Sequence, residues 1–327
     1  ENNLLSLDHL AISHLIEQSC RKAKDRNKIS IRFGEFSDIL HEAHHYAHLN
    51  SKDQITSDEI EKAIEAKYYR SNLIQEKIVD MIDRHTLMIE LEGSKIGQIN
   101  GISVLDLGDF MFGHPNKITV NVASGKHGLI DIERESKLGG RLHTKGVLNL
   151  SGYLGGKYGQ NKMISLSASL VFEQSYSEIE GDSASSAELY AILSGLSQLP
   201  IKQWIAVSGS VNQKGEIQPV GAINEKIEGF FEVCRQRGFN GEQGVMIPKG
   251  NMDHLMLKLE VIQAVKEGKF HVWAISTIDE GIELLTGVPA GKRLKNGSFS
   301  KDSVHYLVDQ RIEDLNKILL KGGSKKK

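Results

Sequence analysis

Apolar residues recur at helical spacing through the first 83 positions of the chain. Leu4, Leu7, Ala11 and Leu15 share one face and predict a helix over 4–24. Phe36, Leu40, Ala43 and Ala47 form a second stripe and predict a helix over 36–49. Thr56-Ser57-Asp58-Glu59 carries a helix-start signal, because Thr56 can cap and Glu59 stands three residues on to reach back. Ile60, Ala63 and Ile64 continue the apolar face of the helix that follows. The stretch has no Pro and a single Gly, Gly34, so nothing interrupts the helical period. It reads as a small all-α module.

Near Asp83 the pattern changes. Residues 85–91 are rich in Leu, Ile and Met, Glu92-Gly93-Ser94-Lys95 is a turn, and 96–104 resumes the apolar pattern, which predicts a hairpin. Residues 118–123 and 129–134 alternate in the manner of strands. From Met163 onward strand and helix signals alternate: strand 164–172, helix 186–196, strand 204–207, helix 223–237, strand 244–248, helix 255–267, strand 270–274 and helix 278–285. The fold class is therefore mixed α/β, preceded by the all-α module. Domains are expected at 1–83 and 84–288. A C-terminal extension, 289–327, holds a polar stretch, an amphipathic helix over 304–320 and a basic tail read as solvated coil.

Composition narrows the function classes. The 327 residues carry 40 Lys+Arg against 42 Asp+Glu, a net charge of −2, so the chain is not a globally basic nucleic-acid binder. Hydrophobic residues at 39% and charged residues at 25% fit a globular protein. No apolar run approaches the roughly 20 residues of a membrane-spanning helix. The start, Glu1-Asn2-Asn3, has no signal-peptide character and no initiator Met, and the chain is expected to be an excised piece. Two cysteines, Cys20 and Cys234, give no disulfide framework and no thiolate zinc site, and point to a reducing, cytoplasmic setting.

Three segments could carry chemistry. His41-Glu42-Ala43-His44-His45 matches H-E-x-x-H, the zinc-peptidase pattern with Glu42 as base. His41 and His45 lie off the Phe36–Ala47 stripe, however, toward water, and a solvated face is the better reading. Residues 152–159 are Gly-rich, but Ser151 stands where a phosphate loop needs Gly and Tyr158 where it needs Ser or Thr. They are expected to form a flexible loop, and no nucleotide site is expected in this chain. The third segment is Gly181-Asp182-Ser183-Ala184-Ser185-Ser186, between a predicted strand and a predicted helix, where a serine hydroxyl would be exposed and free N–H groups could meet an oxyanion. Its possible base is Lys226, one turn into a helix beside Ile223, Ile227, Phe230 and Phe231, where desolvation lowers the amine's pKa. His143, His254 and His271 sit in no recognisable triad motif. A capping role for Ser183 and a snorkelling Lys226 remain the alternatives from residue chemistry alone.

Gly181-Asp182-Ser183-Ala184-Ser185 and Pro219-Val220-Gly221-Ala222-Ile223-Asn224-Glu225-Lys226-Ile227, with Ser and Lys 43 positions apart, resemble the proteolytic domain of the ATP-dependent Lon proteases. The Gly-Asp-Ser-Ala-Ser form is closest to the archaeal branch and the bacterial Lon-like proteins. Flanking segments at 97–104, 207–211, 215–220 and 244–248 agree, and the resemblance runs from about 85 to 288. It implies a serine endopeptidase acting on unfolded or regulatory polypeptides, with a Ser183–Lys226 dyad, no histidine and no metal. Ser208 stands where the family usually has Thr, and keeps the hydroxyl that orients the lysine. Ala222 departs from a common Gly. Asp182 and Ala184 are implied as oxyanion donors, and Asp182 could also pair with Lys226 and hold it charged. Six-membered rings are implied. Residues 1–83 resemble the small helical lid of an AAA+ ATPase module, whose ATP and Mg²⁺ would be held by an upstream portion. The rival function is a latent Lon-like scaffold, and the remote one a zinc peptidase.

Overall fold

The computed structural model describes residues 4–108 and 110–323. The first helix does not begin at Leu4. Asp8 caps it, its Oδ1 accepting from the Ala11 N–H at 2.7 Å, so the extended pair β1 (Ser6–Leu7) precedes α1 (His9–Ala23). Next come α2 (Phe33–Leu49), β2 (Gln54–Ile55), α3 (Ser57–Ser71) and α4 (Leu73–Asp83), with β1 and β2 paired in parallel. Ala11, Ala43, Ala47 and Ala63 are fully buried with Ile55 and Ile60, and these small side chains let α1, α2 and α3 close on one another. Thr56 and Glu59 form the reciprocal cap expected, the Thr56 N–H donating to Glu59 Oε2 at 3.1 Å.

Residues 85–91 form no strand. The hairpin is instead β4 (Gln98–Asp106) against β5 (Met111–Ser124), antiparallel, while β3 (Ser94–Lys95) pairs with residues 201–202. The chain continues through β6 (Gly128–Asp131), α5 (Ile132–Glu135), α6 (Arg141–Tyr158), β7 (Leu166–Phe172), α7 (Ser185–Ser197), β8 (Ile201–Lys202), β9 (Ile205–Val207), β10 (Ser210–Val211), β11 (Ile217–Gln218) and α8 (Ile223–Arg237). It closes with β12 (Gly244–Pro248), a 3₁₀ turn (Lys249–His254), α9 (Leu259–Lys266), β13 (His271–Ile275), α10 (Ile278–Thr286) and α11 (Val304–Gly323). The helix expected from 255 begins only at Leu259, after the 3₁₀ turn. The glycine-rich segment 152–159 is not a loop: it is the last two turns of α6, ended at Gly159. Within a helix the backbone N–H groups are taken up by carbonyls four residues back, so this segment offers no phosphate cradle.

Seven strands form one sheet in the order β13-β12-β9-β4-β5-β7-β6, antiparallel at β4–β5 and β5–β7 and parallel elsewhere. Both faces are covered. Along β9 and β12, Ile205, Val207 and Met246 point into one core while Ala206, Val245 and Ile247 point into the other. A two-sided burial of this kind explains why these strands read as unbroken apolar runs. The first core takes α7, α10 and α11; the second takes α8 and α9. Val304, Val308, Ile312 and Leu315 of α11 are buried in the first core, against α7 and β5. Residues 321–323, expected as coil, continue that helix, and 324–327 lie outside the described residues. The helical module is tied to α8: the Arg21 guanidinium pairs with Glu228 and donates to the Met256 carbonyl at 2.5 Å.

Candidate active site

The turn ahead of α7 is held by its own backbone and by the strand end beside it. Ser185 Oγ donates to the Asp182 carbonyl at 2.8 Å and accepts from the Val211 N–H at 3.0 Å. The Gly209 N–H donates to the Ser183 carbonyl at 2.8 Å, and the Ser186 N–H to the Gly209 carbonyl at 3.1 Å. Gly181 takes the left-handed backbone, φ 89°, that swings the chain into this turn. Ser183 is thereby fixed against residues 208–211. The N–H groups of Asp182 and Ala184 donate no hydrogen bond among the described residues.

Lys226 reaches the same place from the other side of the sheet edge. Two glycines allow it. A Cβ on Gly229 of α8 would lie 1.9 Å from the Gly113 carbonyl oxygen, and a Cβ on Gly113 of β5 would lie 2.4 Å from the Glu225 carbonyl oxygen and 2.6 Å from Lys226 Cα. Helix and strand backbones touch here, which sets the first turn of α8 deep in the domain. Ala222, the N-cap of α8, holds φ at 54°. A left-handed alanine carries strain of about 1 kcal/mol that glycine would not, which gives the departure from Gly at this position its physical meaning.

The Lys226 amine donates to Ser183 Oγ at 2.8 Å and to Ser208 Oγ at 3.0 Å. Lys226 is 3% exposed and Ser208 2%. Burial lowers the lysine's pKa from 10.5 to about 8, against the pull of Asp182 and Glu225 toward the charged form. Lys226 enters no ion pair among the described residues. The Asp182 carboxylate is engaged elsewhere, Oδ2 accepting from Ser210 Oγ at 2.8 Å, so the direct Asp182–Lys226 pair raised by the sequence does not form. An amine with no carboxylate paired to it, two hydroxyl acceptors and no water sheath gives up its proton more readily than an exposed lysine.

The other sequence candidates lie elsewhere. His41 and His45 are exposed on α2, and the Glu42 carboxylate is clamped by Arg70 at 2.7 Å on both oxygens, which removes it as a free base. His143 is buried beside Asp131 and Glu188; His254 contacts Asn251 and His271 the Gly241 carbonyl. Sequence reasoning did not find Ser210, whose hydroxyl occupies Asp182, nor the Gly113–Gly229 contact. Both depend on non-local pairing, and the Gly113 signal, a lone Gly inside a strand pattern, marks close backbone approach only once its partner is known.

Known families match in two places. Residues 6–70 match the archaeal LonB AAA+ ATPase lid domain, and residues 177–286 match the Lon protease (S16) C-terminal proteolytic domain. The chain is 42% identical over 249 residues to the putative Lon protease homolog of Escherichia coli K12, covering 76% of this chain and 42% of that protein. It is 34% identical over 311 residues to the putative Lon protease homolog of Haemophilus influenzae, covering 94% and 51%. An archaeal Lon protease from Archaeoglobus fulgidus is 26% identical over 277 residues, covering 84% and 42%. The chain spans about half the length of the curated relatives it matches.

Proposed function

Because this chain belongs to the Lon protease family and carries its lid and its proteolytic domain, we propose that it is a serine endopeptidase in which Ser183 is the nucleophile and Lys226 the general base. The observation that carries this reading is the 2.8 Å contact between a hydroxyl and a buried amine whose pKa burial lowers to about 8.

On this reading neutral Lys226 takes the Ser183 proton as Oγ bonds to the scissile carbonyl carbon, whose oxygen becomes an oxyanion facing the Asp182 and Ala184 N–H groups. Collapse breaks the C–N bond, and the Lys226 ammonium gives its proton to the departing amine. The product is an acyl ester on Ser183 and a neutral lysine. Water then attacks the ester, Lys226 removes its proton, and the return of that proton to Oγ frees the acid and restores the serine. Ser208 holds Nζ on the line to Oγ through both halves. The substrates are extended polypeptide segments, the working assembly is a ring of six in the cytoplasm, and ATP and Mg²⁺ act in an ATPase portion outside residues 1–327.

The test is peptide hydrolysis by the chain and by Ser183→Ala. The variant is expected to keep its fold by circular dichroism and lose cleavage by at least about 10³-fold. Retained cleavage excludes Ser183 as nucleophile.

A further inference from the structure

Behind the Ser183 turn, four ionisable side chains are sealed from water. Asp131 ends β6, Glu133 lies in α5, His143 in the first turn of α6 and Glu188 in the first turn of α7. They are 0%, 3%, 2% and 1% exposed. One ligand atom each from Asp131, Glu133 and His143 falls within 4.8 Å of the others. His143 Nε2 lies 3.2 Å from Asp131 Oδ2, and Nδ1 lies 3.5 Å from Glu188 Oε1. Phe172 lies edge-on to the imidazole at 5.6 Å and donates its N–H to Glu133 Oε1 at 2.9 Å, which leaves Glu133 Oε2 over. That oxygen, Asp131 Oδ2 and both Glu188 oxygens have no hydrogen-bond partner.

Three buried carboxyl groups surround one imidazole, and four of their oxygens are sealed from water with no hydrogen-bond donor to meet them. Buried polar atoms of that kind are costly unless they are paired or bound to metal. We propose that Asp131, Glu133 and His143 Nε2 bind a divalent first-row transition cation, zinc in the first instance, with Glu188 accepting the His143 Nδ1–H behind it. The donor set has the chemistry for that class: imidazole with carboxylate oxygens and no thiolate. His143 Nε2 hydrogen-bonds Asp131 Oδ1 at 3.4 Å, a contact the ion would replace, and its 3.2 Å distance to Oδ2 is close to that between two ligands of one ion, about 3 Å. Glu188, 3.5 Å from Nδ1, closes to a hydrogen bond on the far nitrogen when the ion is bound, which fixes the tautomer as outer carboxylates do around metal-bound histidines.

The ion ties β6, α5, α6 and α7 together at one point. Gly146, one turn beyond His143, packs on the Asp182 side chain: a Cβ there would stand 3.3 Å from Asp182 Cβ. Asp131, Glu133 and His143 are thus positioning residues for the Ser183 turn rather than members of a reacting set. The sequence pattern pointed to His41 and His45 as the metal question; the fold assembles a different group, drawn from four elements between Asp131 and Glu188 with no motif spacing. The competing occupant is protons, since burial pushes the Glu188 carboxyl up to about 8 and raises Glu133 as well.

The full chain, stripped with chelator, dialysed against zinc or manganese alone and desalted, is assayed by elemental analysis and thermal melting. About one equivalent per chain is expected, with a melting midpoint raised by roughly 5 °C at a hundredfold excess over Kd. Asp131→Asn and Glu133→Gln are expected to melt cooperatively, retain below about a tenth of an equivalent and ignore the added ion. Below a tenth of an equivalent in the wild type, or equal retention by both variants, overturns the site. If the variants do not fold, zinc-edge X-ray absorption on the wild-type chain decides: a single imidazole among oxygen donors is expected, and two or more imidazoles, as the α2 histidines would supply, overturn it. None of these readouts depends on peptide cleavage.

Discussion

Replacing Lys226 with methionine keeps the aliphatic stem and deletes the charge, and the structure sets how much stability that should change. In the folded chain the amine titrates near 8 rather than 10.5. At about 1.4 kcal/mol per pH unit, the buried ammonium costs the fold about 3 kcal/mol. The sign follows from proton counting. Between pH 8 and 10.5 the unfolded chain binds the proton more fully than the folded one, so wild-type stability gains from this residue as pH rises through that window. Below pH 8 the penalty is present in full; above 10.5 it is gone. The uncharged thioether of the variant never carries it. The substitution also removes two N–H···O contacts, to Ser183 and Ser208, worth about 1 kcal/mol each and independent of pH. Lys226→Met should therefore be more stable than wild type by about 1 kcal/mol at pH 7 and less stable at pH 10.5. The difference between the two urea-unfolding free energies, followed across pH 7–10.5, should fall by about 3 kcal/mol. Taking a difference cancels the titrating groups that do not feel Lys226. A flat difference curve refutes the desolvated lysine.

Two further substitutions probe what holds the lysine in place. Gly113→Ala puts a methyl 2.4 Å from the Glu225 carbonyl oxygen, and should cost about 2–3 kcal/mol by urea melt and about 10²-fold in peptide cleavage through displacement of α8; wild-type stability would deny the backbone contact. Arg21→Ala leaves Glu228, whose side chain is 10% exposed in its pair, with the Lys258 N–H at 3.0 Å but no cation, and should destabilise the lid junction by about 3 kcal/mol, read as faster limited proteolysis within 84–93; an unchanged digestion pattern would show that the lid does not depend on this contact.

Local pattern carried the helical module of this molecule and most of the sheet. The stripe at Phe36–Ala47 and the Thr56–Glu59 box are short-range signals, and α8 and β12 fall on the residues their patterns indicate. The failures share a cause. Leu4 and Leu7 obey helical spacing, yet Asp8 interrupts it with a cap and the segment pairs with Gln54–Ile55 instead. The apolar residues 85–91 suggested half of a hairpin, but hydrogen-bond partners are chosen across the sheet, and β4 found β5. Gly152, Gly155 and Gly156 looked like a loop because glycine weakens helices; at 152 the side chain of Gln213 occupies the place of a Cβ, so packing overrides propensity. In the site, Ser183 and Lys226 were legible through spaced motifs. The Ser210–Asp182 contact and the buried Asp131–Glu133–His143–Glu188 group were not, because each joins residues whose proximity exists only after the chain has folded.

The most direct test is the pH dependence of Ser183 phosphonylation. The rate constant for labelling by a fluorophosphonate, measured on the full chain from pH 6 to 11 with Ser183→Ala as the blank, reports the fraction of Lys226 free to take the proton. With an amine titrating near 8, that fraction at pH 7 is about one-tenth, about 300-fold above an ordinary lysine. A desolvated Lys226 acting as base predicts a rate that climbs with a single inflection near pH 8 and levels off by about 9.5. A rate that is indifferent to pH across that range, or that inflects only near 10.5, would contradict it.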